Sequence, residues 1–440
     1  MWHEILYRVL SIINYVVLVV MLVPLAVQCL SVFLFWVKKK KFPKSEKKAR
    51  IAYLIPAHNE SSVIFDTVKS IIEKQNYPRE CFDVFVVADN CTDNTAELAK
   101  KAGAIVWERN DSDPTHRMAL YPLKNGIDKI IHAENPHDMV IHLDADNHIC
   151  DDFSSLMNDA YQSGVVFARP YEGGTNSTQN FYTKACTLFY CFDSRYGSRV
   201  RERFGIAAHV NGAGAMMATS MLLKCGGYDV TSISDDAEFN FNRMLEGTYG
   251  HFVEDAVVFE DMPSSFKDTV NRTQRIGSGG MSLLKTKLLR MLGKFFVTGR
   301  ISYVEMFITY SFNFLAVLLC VWIPLFFIYD FIYLANCAYG NIAVSMMSQE
   351  YYMTVLWNTV WSLIGVAGGL FVVFGYLQAL FVVLTDYKKL GAKKRGDMVS
   401  AVFLFPVFVL LYGGALAYGA LKKPKGWKEI KRNAPNGEDK

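Results

Sequence analysis

The residues best placed for chemistry are carboxylates that close short apolar runs. Asp144 and Asp146 form an Asp-x-Asp pair directly after Met139–Leu143. Asp89 ends the run Val84–Ala88 and is followed by Asn-Cys-Thr-Asp-Asn-Thr, and Asp235 and Asp236 stand side by side before the stretch Ala237–Leu245. A fourth run, Ile51–Ile55, leads into Pro56, Ala57, His58, Asn59 and Glu60. Two hard oxygen ligands one residue apart suit Mg²⁺ or Mn²⁺, with a bound diphosphate supplying the remaining ligands. The neighbouring His142 and His148 raise zinc as an alternative, but His142 is expected to alternate with the strand face, which disfavours it. Any one of these acids alone reads equally well as a helix cap, as Asp93 or Thr95 does. Their repetition after successive apolar runs points to a shared site.

The elements that must position them follow from the pattern. Runs such as IAYLI, DVFVVA and DMVIHL alternate with charged helical stretches such as Ser62–Lys74 and Asn94–Lys101. That alternation predicts βαβ units and a mostly parallel sheet between residue 51 and about residue 280. In open sheets of this kind ligands bind at the carboxyl ends of the strands. The acids sit at those ends.

The chain as a whole is apolar. Of its 440 residues 51% are hydrophobic and only 20% charged, with a mean hydropathy of +0.15. This excludes a disordered chain and leans toward a membrane protein. With 46 basic and 42 acidic residues the net charge is +4, too small to argue for nucleic acid. Nine cysteines without a CxxC pair indicate neither a disulfide framework nor a zinc site, and fit a reducing, cytosol-facing location.

Ser11–Val37 is long and apolar enough to anchor in a bilayer, and it is too long for a signal peptide, with no small-x-small cleavage site after it. The following Lys38–Arg50 cluster is predicted to stay cytosolic. Residues 1–37 thus read as an anchor and 38–280 as the cytosolic domain. Residues 281–300 read as an amphipathic interface helix, with Leu284, Leu288, Met291, Leu292 and Phe295 at helical spacing between lysines and an arginine. Residues 301–421 carry three more apolar runs: Met306–Leu334, Met353–Leu384 and Met398–Leu421. The last reads as a span or, through Pro406, Gly413 and Gly414, as a re-entrant hairpin. Residues 422–440 form a basic tail.

The order PAHNE, VVADNCTDNT, HLDADNHI, SISDDAEF resembles that of the membrane-embedded inverting family-2 glycosyltransferases, relatives of the cellulose, chitin, hyaluronan and poly-N-acetylglucosamine synthases. The likeness covers about residues 50–300. It implies an α/β GT-A fold with flanking transmembrane helices and a nucleotide-sugar donor. By motif, Pro56, His58, Asn59 and Glu60 match the segment that holds the nucleotide, and Asp89 the aspartate that reads the base. Asp144 and Asp146 match the pair that binds nucleotide and metal, with Asp146 the direct ligand. Gly212 and Gly214, within Asn211-Gly212-Ala213-Gly214, fall in the small-residue turn beside the acceptor. Ser234-Asp235-Asp236 matches the motif whose last aspartate is the base, which assigns Asp236; pairing with Asp235 raises one of the two pKa values by like-charge repulsion. The competing reading of this pair is an acidic helix start.

Two departures touch the acceptor. Where processive relatives carry (Gln/Arg)-x-x-Arg-Trp, this chain has Arg272-Thr273-Gln274-Arg275-Ile276. The arginines Arg272 and Arg275 offer forked donors to a diphosphate, but Ile276 replaces the tryptophan that lines the acceptor site. Where relatives carry Lys-Gly-x-Ala-Leu, this chain has Thr115-His116-Arg117-Met118-Ala119-Leu120, with Arg117 as a substitute for the lysine. The resulting expectation is an integral enzyme of the plasma membrane, its catalytic domain cytosolic. It extends a polysaccharide from a UDP-sugar with Mg²⁺ or Mn²⁺, or alternatively adds one sugar to a lipid acceptor. A nucleotide-binding transporter or receptor fits less well, because the apolar runs hold almost no ionisable residues.

Overall fold

The computed structural model describes residues 37–338 and 371–422, with a few isolated positions outside them. Apart from those isolated positions and Val37, the predicted anchor at 1–37 lies outside the described residues, as do residues 339–353, most of the first part of the Met353–Leu384 run and the basic tail beyond residue 422.

Strands β1 (Ile51–Ala57), β2 (Phe82–Asp89), β3 (Ile105–Arg109) and β4 (Met139–His142) are parallel neighbours in the order β3-β2-β1-β4. Between them run α1 (Ile64–Lys74), α2 (Thr95–Lys101) and α3 (Leu120–Ile131). Ile51, Ala52, Tyr53, Leu54 and Ile55 are all fully buried. A parallel strand covered on both faces reads as such an unbroken apolar run. Ile51, Tyr53 and Ile55 pack with Ile64, Val68 and Ile71 of α1 on one face. Ala52 and Leu54 pack with Leu123, Ile127 and Ile130 of α3 on the other.

The rest of the sheet is mixed, where the alternation predicted mostly parallel pairing. After β5 (His148–Ile149) and α4 (Phe153–Gln162) come β6 (Phe167–Gly174) and α5 (Phe181–Phe192). A π-turn, Asp193–Ser198, continues into α6 (Arg199–Arg203), followed by β7 (Met216–Ala218), α7 (Thr219–Cys225), α8 (Asp235–Leu245) and β8 (His251–Glu260). The eight strands run β3-β2-β1-β4-β7-β6-β8-β5, with β7 antiparallel to both β4 and β6, and β5 antiparallel to β8. The three-residue β7 is short and fully buried, which hides its direction from any sequence period.

Helix α9 (Phe266–Thr298) follows, then α10 (Ile301–Ala338), α11 (Gln378–Asp386) and α12 (Val399–Leu421). α9 runs unbroken from the Arg272–Ile276 segment into the predicted 281–300 helix and ends at Thr298, with Gly299 as its left-handed cap. α12 is one 23-residue helix with Pro406 inside it. Among the described residues, one helix, Arg395–Leu421, is long and apolar enough to cross a membrane.

Candidate functional site

The carboxyl ends of β1, β2 and β4 lie on one edge of adjacent strands. Strands pair about 4.8 Å apart, so the β2 and β4 ends, two strands apart, are separated by about 10 Å. At the β1 end, Asn59 adopts a left-handed φ of 55°, which Asn tolerates better than most residues. This aims its side-chain oxygen at the β2 loop, where it accepts from the Thr92 N–H at 2.8 Å. The His58 ring nitrogen Nδ1 lies 2.7 Å from the Asp89 carbonyl oxygen. Glu60 N–H donates to the Thr95 hydroxyl at 2.8 Å. The two strand ends are thereby tied into one wall.

Asp89 is 5% exposed. Its carboxylate accepts from the Arg109 guanidinium, which also reaches Asp111 from the end of β3. The Asn90 amide adds a bond to Asp89 at 3.2 Å. Arg109 is a site residue that the motifs do not reveal. Only the parallel pairing Asp89↔Arg109 brings it there.

At the β4 end the Asp-x-Asp turn is built around the fully buried Asn147. Its side-chain oxygen accepts from the Asp144 N–H at 2.9 Å, and its amide donates to Asp146 Oδ1 at 3.2 Å. Thr67 of α1 donates to the Ala145 carbonyl at 2.7 Å. Asp144 is exposed and Asp146 half-buried. Among the described residues no group of three His, Cys, Asp or Glu could hold a metal by itself. Two carboxylates on a braced turn fit a hard divalent cation that takes its other ligands from diphosphate oxygens and water.

The antiparallel pairing of β4 with β7 brings the 211–215 turn to the same edge: His142 N–H donates to the Ala215 carbonyl at 3.0 Å and Gly214 N–H to the His142 carbonyl at 2.8 Å. Gly214 has φ 70°, and a Cβ there would sit 2.5 Å from Pro170, so its glycine answers to the backbone and the core. At Gly212 a Cβ would face His142 and Asp236 at 3.5–3.8 Å. Gly212 N–H donates to Asp236 Oδ2 at 3.2 Å, and Ala237 N–H to Asp236 Oδ1 at 2.7 Å. Asp235 accepts from the Tyr228 hydroxyl at 3.3 Å. Burial first, and then the Asp236 charge, push Asp235 up to about 7, with Asp144 adding to the rise and Arg275 opposing it. Gly212 thus lies between Asp236 and His142, and His142 Nε2 is 3.8 Å from Asp144 Oδ1, so the β4 end and the start of α8 share one cleft.

The family model for Glycosyl transferase family 2 matches residues 53–113, and that for Glycosyl transferase family group 2 matches residues 139–347. Together they take in more than half of the chain, including every segment of this cleft. The chain belongs to glycosyltransferase family 2.

The fold of this glycosyltransferase is GT-A-like, with a central mixed sheet. It is 25% identical to the beta-monoglucosyldiacylglycerol synthase of Nostoc sp. over 44% of this chain and 41% of that one. It is 22% identical to the poly-beta-1,6-N-acetyl-D-glucosamine synthase of Staphylococcus epidermidis over 49% and 52%. Among solved structures it is similar to the mannosyltransferase PcManGT from Pyrobaculum calidifontis in complex with GDP-Man and Mn2+, at 13% identity and a TM-score of 0.48, over 88% of this chain and 98% of that one. The chain spans about half the length of the curated relatives it matches.

His142 of this glycosyltransferase also lines the cleft. Its Nε2 lies 3.8 Å from Asp144 Oδ1 and is buried without a hydrogen-bond partner among the described residues. Burial holds the ring below its usual pKa, against the pull of Asp144 and Asp236. His148 instead faces Ser70 at 3.4 Å, so the two histidines serve different sides. Arg272 and Arg275, one turn apart on α9, diverge. Arg272 pairs with Glu260 at 2.7 Å and lies over the Tyr190 ring at 5.0 Å. Arg275 is exposed beside the Asp235 pair, and Ile276 is half-buried. Gly279, one turn further, has no room for a Cβ, which would overlap the Ser234 hydroxyl. That close approach presses α9 against the start of α8.

Proposed function

We propose that this glycosyltransferase is an integral membrane enzyme that transfers a sugar from a UDP-sugar, with inversion, to a growing polysaccharide at the cytosolic face of the plasma membrane. The observation that carries the reading is Asp236, held by the Gly212 and Ala237 N–H groups within the cleft that Asp144 enters from β4.

In this reading Pro56, His58, Asn59, Glu60 and Asp89 seat the nucleoside and Arg275 meets the diphosphate. Arg272 contributes from its Glu260 contact. Asp144 and Asp146 would hold Mg²⁺ or Mn²⁺, and the chemistry such a cation supplies when bound is charge neutralisation of the departing diphosphate. Asp236 takes the proton of an acceptor hydroxyl as that oxygen attacks the anomeric carbon. The bond from that carbon to the diphosphate oxygen breaks on the opposite face, which inverts the centre. Asp235, whose pKa burial and the Asp236 charge raise to about 7, is partly protonated near neutral pH, which lessens the negative charge in the cleft.

The membrane part of the reading rests on the Arg395–Leu421 helix and on α9, where Leu289, Phe296 and Val297 are exposed beside Arg290 and Lys294. A second reading, transfer of a single sugar to a lipid, draws support from Ile276 in the aromatic's place and from the relative named beta-monoglucosyldiacylglycerol synthase. UDP release by the purified enzyme across UDP-glucose, UDP-galactose, UDP-N-acetylglucosamine and UDP-glucuronate, followed by product sizing, tests both. Polymer supports the first, a singly glycosylated lipid the second, and no UDP release from any donor overturns both.

A further inference from the structure

The basic run after residue 37 enters a second recess that shares no residue with the catalytic cleft. Lys38, Lys39, Lys41, Arg195, Arg199 and Glu254 line an open groove of about 490 Å³. Its walls are the extended segment after residue 37, the π-turn, the start of α6 and β8.

The groove's one lining carboxylate is already matched. Glu254 accepts from Arg199 Nε at 2.5 Å and has Lys389 Nζ at 3.7 Å. Lys39 pairs with Asp255 at 2.5 Å and Arg195 with Asp386 at 2.9 Å. Lys38 and Lys41 are exposed and meet no carboxylate among the described residues. Their charge faces the groove uncompensated.

The position of the groove identifies the anion. Arg199 Nη1 donates to the carbonyl of Val37, the last residue of the apolar run 11–37, at 3.3 Å. Asp386, the partner of Arg195, is the last residue of α11, which closes the apolar run from Met353. Two predicted spans therefore end at the rim of one cationic groove. In a bilayer that rim lies at the plane of the lipid phosphates, where basic side chains are attracted to anionic headgroups.

We propose that this groove binds the phosphate of an anionic phospholipid headgroup, with Lys38, Lys41 and Arg195 as its donors. The inference rests on the membrane reading above. The test uses the full chain in zwitterionic detergent micelles and follows the fluorescence anisotropy of acyl-labelled phosphatidylglycerol or phosphatidylcholine. Phosphatidylglycerol is expected to bind more tightly, and the Lys38→Gln/Lys41→Gln double variant to lose roughly thirtyfold toward the phosphatidylcholine value, at roughly fivefold per basic residue. An unchanged melting temperature in that variant shows that the loss is not unfolding. Equal affinity for the two lipids, or a double variant that still prefers phosphatidylglycerol, overturns the proposal. So does displacement of the lipid by inorganic phosphate at equal concentration, which assigns the groove to a free anion. Alkaline carbonate extraction of native membranes separates the two failures. Release of the chain removes the bilayer itself, whereas retention with equal lipid affinities removes only the groove.

Discussion

The Gly212 N–H donates to Asp236 Oδ2 at 3.2 Å although the two residues are 24 positions apart in different elements. That bond joins the turn before β7 to the first turn of α8. It sets the carboxylate against the strand end that carries His142 and Asp144.

Replacing that carboxylate by its amide keeps size and one acceptor oxygen but removes the basic group. In Asp236→Asn, UDP-sugar binding measured by calorimetry should survive, while turnover measured as UDP release falls by roughly 10²–10⁴-fold. Turnover near the parent's would remove Asp236 from its role.

The Asp-x-Asp turn predicts a metal-linked loss on the donor side. Chelation should abolish UDP release, and Mg²⁺ or Mn²⁺ should restore it. Asp146→Ala should weaken donor binding in the presence of metal and leave little difference on chelation. A metal dependence equal to the parent's would reassign Asp146.

Asp235 yields a pH-dependent stability effect. Its folded pKa, about 7, lies above the unfolded value near 4. The folded state therefore binds the proton more tightly. Stability is favoured below the unfolded value and is lost as pH rises through the folded one. Asp235→Asn, which cannot ionise, should melt higher than the parent at pH 8. The difference should shrink as pH falls through the interval between the two pKa values. A constant offset across that range would show that burial does not govern this side chain.

Gly279→Ala tests the seating of α9 on Ser234. The added methyl overlaps the Ser234 hydroxyl, so the helix must shift, at a stability cost of roughly 1–3 kcal/mol. The shift moves Arg275 and the start of α8 together, so kcat for UDP release should fall. A variant with parent melting temperature and parent kcat would show that the contact is loose.

Ile276→Trp restores an aromatic face for a sugar. In a polymerising enzyme it should lengthen the product seen by gel sizing, with little change in UDP-sugar KM. Unchanged product length would detach residue 276 from the acceptor path.

Much of this site is legible along the chain. β1, β2 and β4 end within two residues of where their apolar runs end, and α1, α2 and α8 begin within two residues of the expected positions. Burial on both faces leaves a local signature, and polar residues after it mark the strand's exit. Arg109 and Asn147 were not legible. One is a partner across a strand pair, and the other is a buried amide inside a turn whose acids draw the attention. Lys287, which reads as one cation on an amphipathic stripe, lies 3.1 Å from Glu238 and is partly buried. Periodicity assigns a helix face but not what covers it.

The sequence by itself determined the four acidic segments, their order and the elements carrying them, because strand and helix periods are local properties of burial and backbone bonding. Only the tertiary structure decided that β7 runs against β4 and so carries Gly212 to Asp236. It also decided that Asp235 is buried beside the Asp236 charge and so has a raised pKa, and that Arg272 turns to Glu260 while Arg275 stays by the cleft. Those outcomes depend on distances between segments far apart in the chain, and on how much water each side chain keeps once they meet.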